Sequence, residues 1–152
     1  MAVAFQEENY DDFCKDAMAL IIKHWEDIAL NHEDVKLDPD WLAYKNLYDA
    51  GILHIVTGRT EEGELVGYCL LMVTGNLHYK TVKWAEGDIF YLRPDHRKGM
   101  TGIRMMKAAE KIAKVYGASK IYQKVKLHKD VSKVFERMGY TAIERLFMKE
   151  LV

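Results

Sequence analysis

The sequence is poor in the residues that would make its class obvious. Only two of its 152 residues are cysteine, Cys14 and Cys69, and neither has a partner at metal-binding or redox spacing. That excludes a disulfide framework and a zinc module, and two isolated thiols read as reduced core residues of a cytoplasmic protein. Six histidines are scattered, with no pair at i+3 or i+4, so no metal site is expected. Proline occurs twice, and 49% of the residues are apolar, which argues against disorder. The longest nearly unbroken apolar run, LVGYCLLMV at 65–73, is too short to span a bilayer. The opening MAVAFQEENYDDF has neither a basic region nor an apolar stretch, so no signal peptide is expected there. A length of 152 residues suits one domain, 1–152, around one core.

The net charge of −1 conceals an asymmetry. Residues 1–64 carry 15 acidic and 5 basic side chains, whereas residues 65–152 carry 8 and 17. Opposed halves of this kind suit partners of opposite charge, although solvated faces segregate in the same way. The lack of an overall basic excess argues against a nucleic-acid partner.

Periodicity supplies the elements. AVAF at 2–5 reads as a strand, and apolar residues recur at helical spacing from Asp11 to Asn31. Asp38-Pro39-Asp40 offers a cap, a proline at the first helical position and an early acid for the helix WLAYKNLYDA, which Gly51 stops. Trp25, Trp41, Tyr44 and Tyr48 read first as packing residues, and lining a ligand pocket is their alternative. ILHIVTG and ELVGYCLLMV form a hairpin, and WAEGDIFYL is a third strand. Gly102–Tyr116 is an amphipathic helix, KIYQKVKL a strand, residues 131–138 a short helix, and YTAIERLFMKEL a closing strand. The order β-αα-βββ-α-β-α-β predicts an α+β fold with a mixed sheet of about six strands.

Between the third of these strands and the amphipathic helix lies RPDHRKGMTG, residues 93–102. A helix N-terminus offers unpaired N–H groups, Arg97 and Lys98 add charge, and Gly99 and Gly102 permit close backbone approach. An anion such as phosphate suits that corner. The spacing matches neither a P-loop nor a dinucleotide fingerprint.

This pattern resembles the GNAT (GCN5-related) N-acetyltransferase superfamily, whose signature is a strand, a proline and then Arg/Gln-x-x-Gly-x-Gly/Ala opening a helix. Pro94, Arg97 and Gly102 match, while Met100 replaces the first glycine. A second run, commonly Asn-x-x-Ala-x-x-x-Tyr-x-Lys-x-Gly-Phe in that family, corresponds to His128, Val131, Phe135, Arg137, Gly139 and Tyr140. Phrases such as LVGYCLLMV and FERMGY are similar to acetyltransferase-like proteins of bacteriophages.

The resemblance implies an enzyme that takes acetyl-CoA as co-substrate, wedged where the sheet splits between the strand ending at Leu92 and that at 120–127. Backbone groups of Phe90, Tyr91 and Leu92 would hold the pantetheine, and Arg97, Lys98, Gly99, Met100, Thr101 and Gly102 the diphosphate. His128 and Phe135 fall among the family's cofactor-side positions. The acceptor would be an amine on a small molecule or a protein, attracted by the acidic first half, and a homodimer is left open.

Acyl transfer needs a neutral amine, so a base must remove a proton. Glu86 and Asp88, at i and i+2 of one strand, are the candidates, with His78 and His128 behind them. Phe135 stands where many relatives carry a proton-donating tyrosine. Met100 and Phe135 are the features that favour the alternative of a non-catalytic module that binds acyl-CoA or a protein partner.

Overall fold

The computed structural model describes residues 2–30 and 35–151. Five strands form one sheet: β1 (Val3–Glu8), β2 (Leu53–Thr60), β3 (Leu65–Gly75), β4 (Lys83–Leu92) and β5 (Ala118–Tyr122). They lie side by side in chain order, the first four antiparallel and β5 parallel to β4. The tight β2–β3 connection turns at Gly63, whose φ of 84° is accessible to glycine at little cost. A parallel step needs a crossover, and α3 (Thr101–Val115) supplies it.

β3 is buried on both faces because helices cover both sides. Tyr68 and Leu70 point to one core, and Cys69, Leu71 and Val73 to the other, as the period of two requires. On the first side lie α1 (Tyr10–Ile28) and α2 (Trp41–Asp49). Phe13, Ala17, Leu20 and Ile21 of α1 pack on Leu53, Ile55, Tyr68 and Tyr91. Phe13 is 1% exposed, so Phe13→Ala would cost about 3–5 kcal/mol. On the second side, Met105, Met106, Ala109 and Ala113 of α3 join Phe135 of α4 (Ser132–Arg137) over Val56, Cys69 and Leu71.

Local signals explain the helix ends. Asn9 caps α1 by accepting the Asp12 N–H at 2.8 Å. Position 31, where the helical spacing was expected to end, lies outside the described residues. At α2 the cap is Asp40, which accepts the Ala43 N–H at 2.9 Å, rather than Asp38, so Pro39 precedes the helix instead of opening it. Gly51, Gly117 and Gly139, with φ of 73°, 88° and 89°, follow the ends of α2, α3 and α4.

Two expectations need correction. Among the described residues the sheet has five strands rather than about six, because 140–151 forms no strand and residues 141–151 are exposed. A strand requires a partner ladder, and alternation in sequence does not say which edge provides one. The strand expected at 120–127 is β5 at 118–122, after which the chain leaves the sheet. Among the described residues, no helix is long and apolar enough to cross a membrane.

Candidate active site

β4 pairs with β5 only from Lys83 to Glu86, and continues to Leu92 without it. The sheet therefore opens at Gly87. At the same point the β3–β4 register slips: Leu71 opposes Gly87 and Leu70 opposes Ile89, leaving Asp88 as the extra residue of a β-bulge. A bulge bends its strand and re-aims a side chain. A Cβ on Gly87 would lie 2.1 Å from Gln123 Oε1, so the Gln123 amide occupies space that any side chain at 87 would claim. That Oε1 is buried with no hydrogen-bond partner among the described residues, and the Gln123 Nε2 sits 3.9 Å from Cys69 Sγ. An unmet buried acceptor costs about 1–3 kcal/mol, which an N–H donor entering the opening would recover.

The corner after β4 begins with a 3₁₀ turn at Pro94–His96. Gly99 takes a φ of 57°, and α3 then starts with no side chain capping it. The Thr101 N–H donates to the Lys98 carbonyl at 3.3 Å, which leaves the N–H groups of Gly102 and Ile103 and the helix dipole at the corner, beside exposed Lys98. Met100 has a φ of −94°, which any residue adopts, so the absence of glycine there costs the backbone nothing. The left-handed residue is Gly99, one position earlier. The Thr101 hydroxyl donates to the Lys98 carbonyl at 2.9 Å, and a Cβ on Gly102 would meet open space.

Arg97, whose side chain stays 43% exposed, folds back on the protein. Its Nε donates to the Leu92 carbonyl at 2.6 Å and its Nη2 to Asp27 of α1 at 2.8 Å. The guanidinium also lies 5.1 Å from the Tyr91 ring centroid. Arg97 therefore braces the corner against α1, and its charge holds the Asp27 carboxyl below the usual range.

The two candidate carboxylates differ. Asp88 is half-buried and accepts the Tyr44 hydroxyl at 2.7 Å. Burial, and then the nearby Asp88, raise the Tyr44 pKa, so Tyr44 stays protonated and keeps donating. Glu86 is exposed and paired with Lys124 at 2.8 Å. His128 donates from Nε2 to the Ile28 carbonyl at 2.8 Å, tying the loop after β5 to the end of α1. His78 is exposed in the β3–β4 loop. Phe135 is buried, its ring 5.8 Å from Phe90 and 5.1 Å from Tyr140. Tyr91 and Leu92 are buried and face opposite cores. Asp88, Phe90 and the 98–102 corner thus follow the opening in chain order, and Glu86 forms the last β4–β5 pair before it.

On the α1–α2 side of the bulge lies a cavity of about 550 Å³, lined by Trp25, Trp41, Tyr44, Leu37 and Ile89 among others. Three of the four aromatic residues read first as packing line it, whereas Tyr48 packs on Tyr10 at 5.9 Å. Asp38, Asp40 and Lys126 also line it. Sequence reasoning missed His24, which faces the same cavity. Its ring stacks on Tyr91 at 4.7 Å, and its Nδ1 is hydrogen-bonded to the Tyr68 hydroxyl. Burial pushes the His24 pKa down to about 4, so it is neutral at pH 7. Gln123 was also missed; a neutral polar residue amid the lysines of KIYQKVKL was the available sign. Among the described residues no cluster of histidine, cysteine or carboxylate side chains could hold a metal ion.

Known structures share this architecture. A ribosomal-protein-alanine N-acetyltransferase from Brucella melitensis biovar Abortus 2308 superposes with a TM-score of 0.76 at 16% identity, covering 100% of this chain and 99% of that one. An acetyltransferase from Trypanosoma brucei gives 0.74 at 14% identity, covering 99% and 100%. Glucosamine-6-phosphate N-acetyltransferase from Arabidopsis thaliana gives 0.74 at 12%, covering 100% of both chains. Identities this low speak for the fold alone. No curated protein matches the sequence. The model of the acetyltransferase (GNAT) family matches residues 12–140, the stretch that holds the bulge, the opened sheet and the α3 corner, and the chain belongs to that family.

Proposed function

We propose that this protein is an N-acetyltransferase that moves the acetyl group of acetyl-CoA to a primary amine on a small molecule or a protein. The observation that carries this reading is the opening of the sheet at Gly87, coincident with the Asp88 bulge. The opening exposes β4 backbone groups on one side and leads to the uncapped start of α3. Pantetheine amides suit the β4 edge from Phe90 to Leu92 and the unmet Gln123 acceptor. A diphosphate suits the N–H groups and lysine of 98–102. Arg97 acts here as the brace that fixes the corner. When bound, acetyl-CoA supplies the thioester carbon that the amine attacks.

Asp88 is the base in this reading. A lysine-like amine with a pKa near ~10.4 is about three units from neutral at pH 7, so proton removal is a large part of the barrier. Tyr44 holds Asp88 Oδ2 and leaves Oδ1 to receive the proton. The aromatic cavity would take the body of the acceptor, with Asp38 and Asp40 drawing its cationic end inward. A backbone N–H of the bulged strand would donate to the thioester oxygen as charge develops there.

One feature favours a second reading, a module that binds acyl-CoA without turnover: Phe135 has no proton for the leaving thiolate. A thiol with a pKa near ~8.5 leaves without much help, so the enzyme stands first. Two free cysteines support a reducing, cytoplasmic setting, and the sequence phrases quoted above a bacteriophage source. The test is thiol release from acetyl-CoA against polyamines, aminoglycosides, aromatic amines and lysine peptides. Amine-dependent release supports the enzyme; tight acetyl-CoA binding with no release for any amine supports the module.

A further inference from the structure

The cavity beside the bulge reaches into the first core, since buried Phe13, Leu53, Ile55 and Leu70 belong to its lining. Its 550 Å³ suits a small molecule. The aromatic residues around it have their polar atoms already engaged. The Tyr10 hydroxyl donates to the Trp41 carbonyl at 2.8 Å, and the Tyr44 hydroxyl to Asp88 at 2.7 Å. His24 Nδ1 is hydrogen-bonded to Tyr68, and Asp40 Oδ1 accepts the Ala43 N–H at 2.9 Å. What this wall offers a ligand is ring surface. Trp41 and Tyr44 present tilted rings with centroids 6.3 Å apart, within the range in which a further ring packs on a pair. Of the charged lining residues, Lys36 and Lys126 offset Asp38 and Asp40, so no surplus of negative charge awaits a polycation.

The bulge sets one carboxylate against this apolar chamber. Successive residues of a regular strand point to opposite faces. Here the extra residue breaks the alternation: Ile89 packs on the first core, and its neighbour Asp88 also reaches the α1–α2 side, at Tyr44. A ligand with one ammonium at Asp88 and an apolar ring in the cavity therefore finds a match for each part. A polyamine or an amino sugar would set further ammonium or hydroxyl groups among the rings, and each one left unmatched lowers affinity by about tenfold or more.

We propose that the acceptor is an arylalkylamine, one primary amine on a short alkyl arm that carries an aromatic ring, with the amine at Asp88 and the ring among Trp25, Trp41 and Tyr44. For the reaction, though not for the binding, this rests on the acetyl-transfer reading above. The ammonium gives one proton to Asp88, and the neutral nitrogen bonds to the acetyl carbon as the C–S bond breaks. The second nitrogen proton ends on the departing sulfur. The products are a neutral acetamide, coenzyme A and one proton passed on to solvent.

The test has two arms on the full-length protein. Calorimetry titrates 2-phenylethylamine and tryptamine with coenzyme A present, which has no acetyl group to transfer, and thiol release from acetyl-CoA follows turnover. Both amines should bind. Their kcat/KM should exceed that of spermidine, kanamycin or a lysine peptide by about 100-fold or more, as two unmatched groups at about tenfold each require. Leu37→Arg puts a cation into the cavity wall and should weaken amine binding by about tenfold or more, with a thermal melt to check the fold. Trp41→Leu, which removes a ring and keeps the wall apolar, should weaken the same binding and serves if Leu37→Arg does not fold. Binding without release upholds the ligand class and overturns the enzyme reading. Release with spermidine, kanamycin or the lysine peptide as fast as with the arylalkylamines overturns the proposal and leaves the enzyme reading standing. No binding of either arylalkylamine at millimolar concentration overturns the proposal, as does binding that a folded variant leaves unchanged.

Discussion

His24 links stability to pH in a window where few other groups change charge. In the fold it is neutral, hydrogen-bonded to Tyr68 and stacked on Tyr91, and burial holds its pKa at about 4. Unfolded, its pKa returns to about 6.5. The folded value is the lower one, so the unfolded chain binds the extra proton, and stability falls as pH drops through the interval between the two. The contribution is complete above pH ~6.5 and lost by pH ~4. A gap of about 2.5 units corresponds to roughly 3 kcal/mol, an upper bound because the ring is partly open to the cavity. Between pH 7 and pH 5 the loss is about 2 kcal/mol, a large share of a marginal stability. Urea unfolding at pH 7, 6 and 5 measures it, with His24→Asn as the reference, since an asparagine oxygen can take the Tyr68 hydrogen bond but does not titrate. The wild type should lose about 2 kcal/mol more than His24→Asn over that range. Parallel losses in the two proteins would refute the reasoning.

Asp88→Asn should lower turnover by about 10²–10⁴-fold, with the deficit shrinking as pH nears the pKa of the amine, whereas Glu86→Gln should stay near wild type. Steady-state rates from pH 7 to 9 separate the two. Gly87→Ala should displace the Gln123 amide and weaken acetyl-CoA binding; in a double-mutant cycle with Gln123→Ala the two changes should couple by about 0.5–3 kcal/mol. Gly99→Ala should cost about 1–2 kcal/mol in urea unfolding, because its φ of 57° strains any side chain. Gly102→Ala should do the opposite, adding up to about 1 kcal/mol of helix stability in urea unfolding while acetyl-CoA binding stays near wild type, since a Cβ there meets open space.

The elements that sequence reveals best are those whose patterns are local. LVGYCLLMV, apolar at nearly every position, is β3, buried on both faces, and the apolar stripe of 102–116 is the buried face of α3. The α3 corner was legible because Gly99 and Gly102 announce backbone geometry directly. What stayed hidden depends on residues far apart in the chain. Tyr44 meets Asp88 across 44 positions, and Arg97 meets Asp27 across 70. The i, i+2 spacing put Glu86 and Asp88 on equal terms, and only the bulge and Tyr44 set them apart. His24 and Gln123 were lone polar residues among apolar or basic neighbours, and their roles come from the cavity and the opened sheet around them. The closing strand read from YTAIERLFMKEL is not formed, because strand-like composition does not by itself supply a partner ladder.

The account rests on acetyl-CoA lying in the opening between β4 and β5, and thermal melting across an acetyl-CoA titration tests this most directly. Ligand at about 100 times its dissociation constant should add about 2.7 kcal/mol, which for a domain of this size raises the melting temperature by roughly 5–10 °C. A melting temperature unchanged at millimolar acetyl-CoA would contradict it.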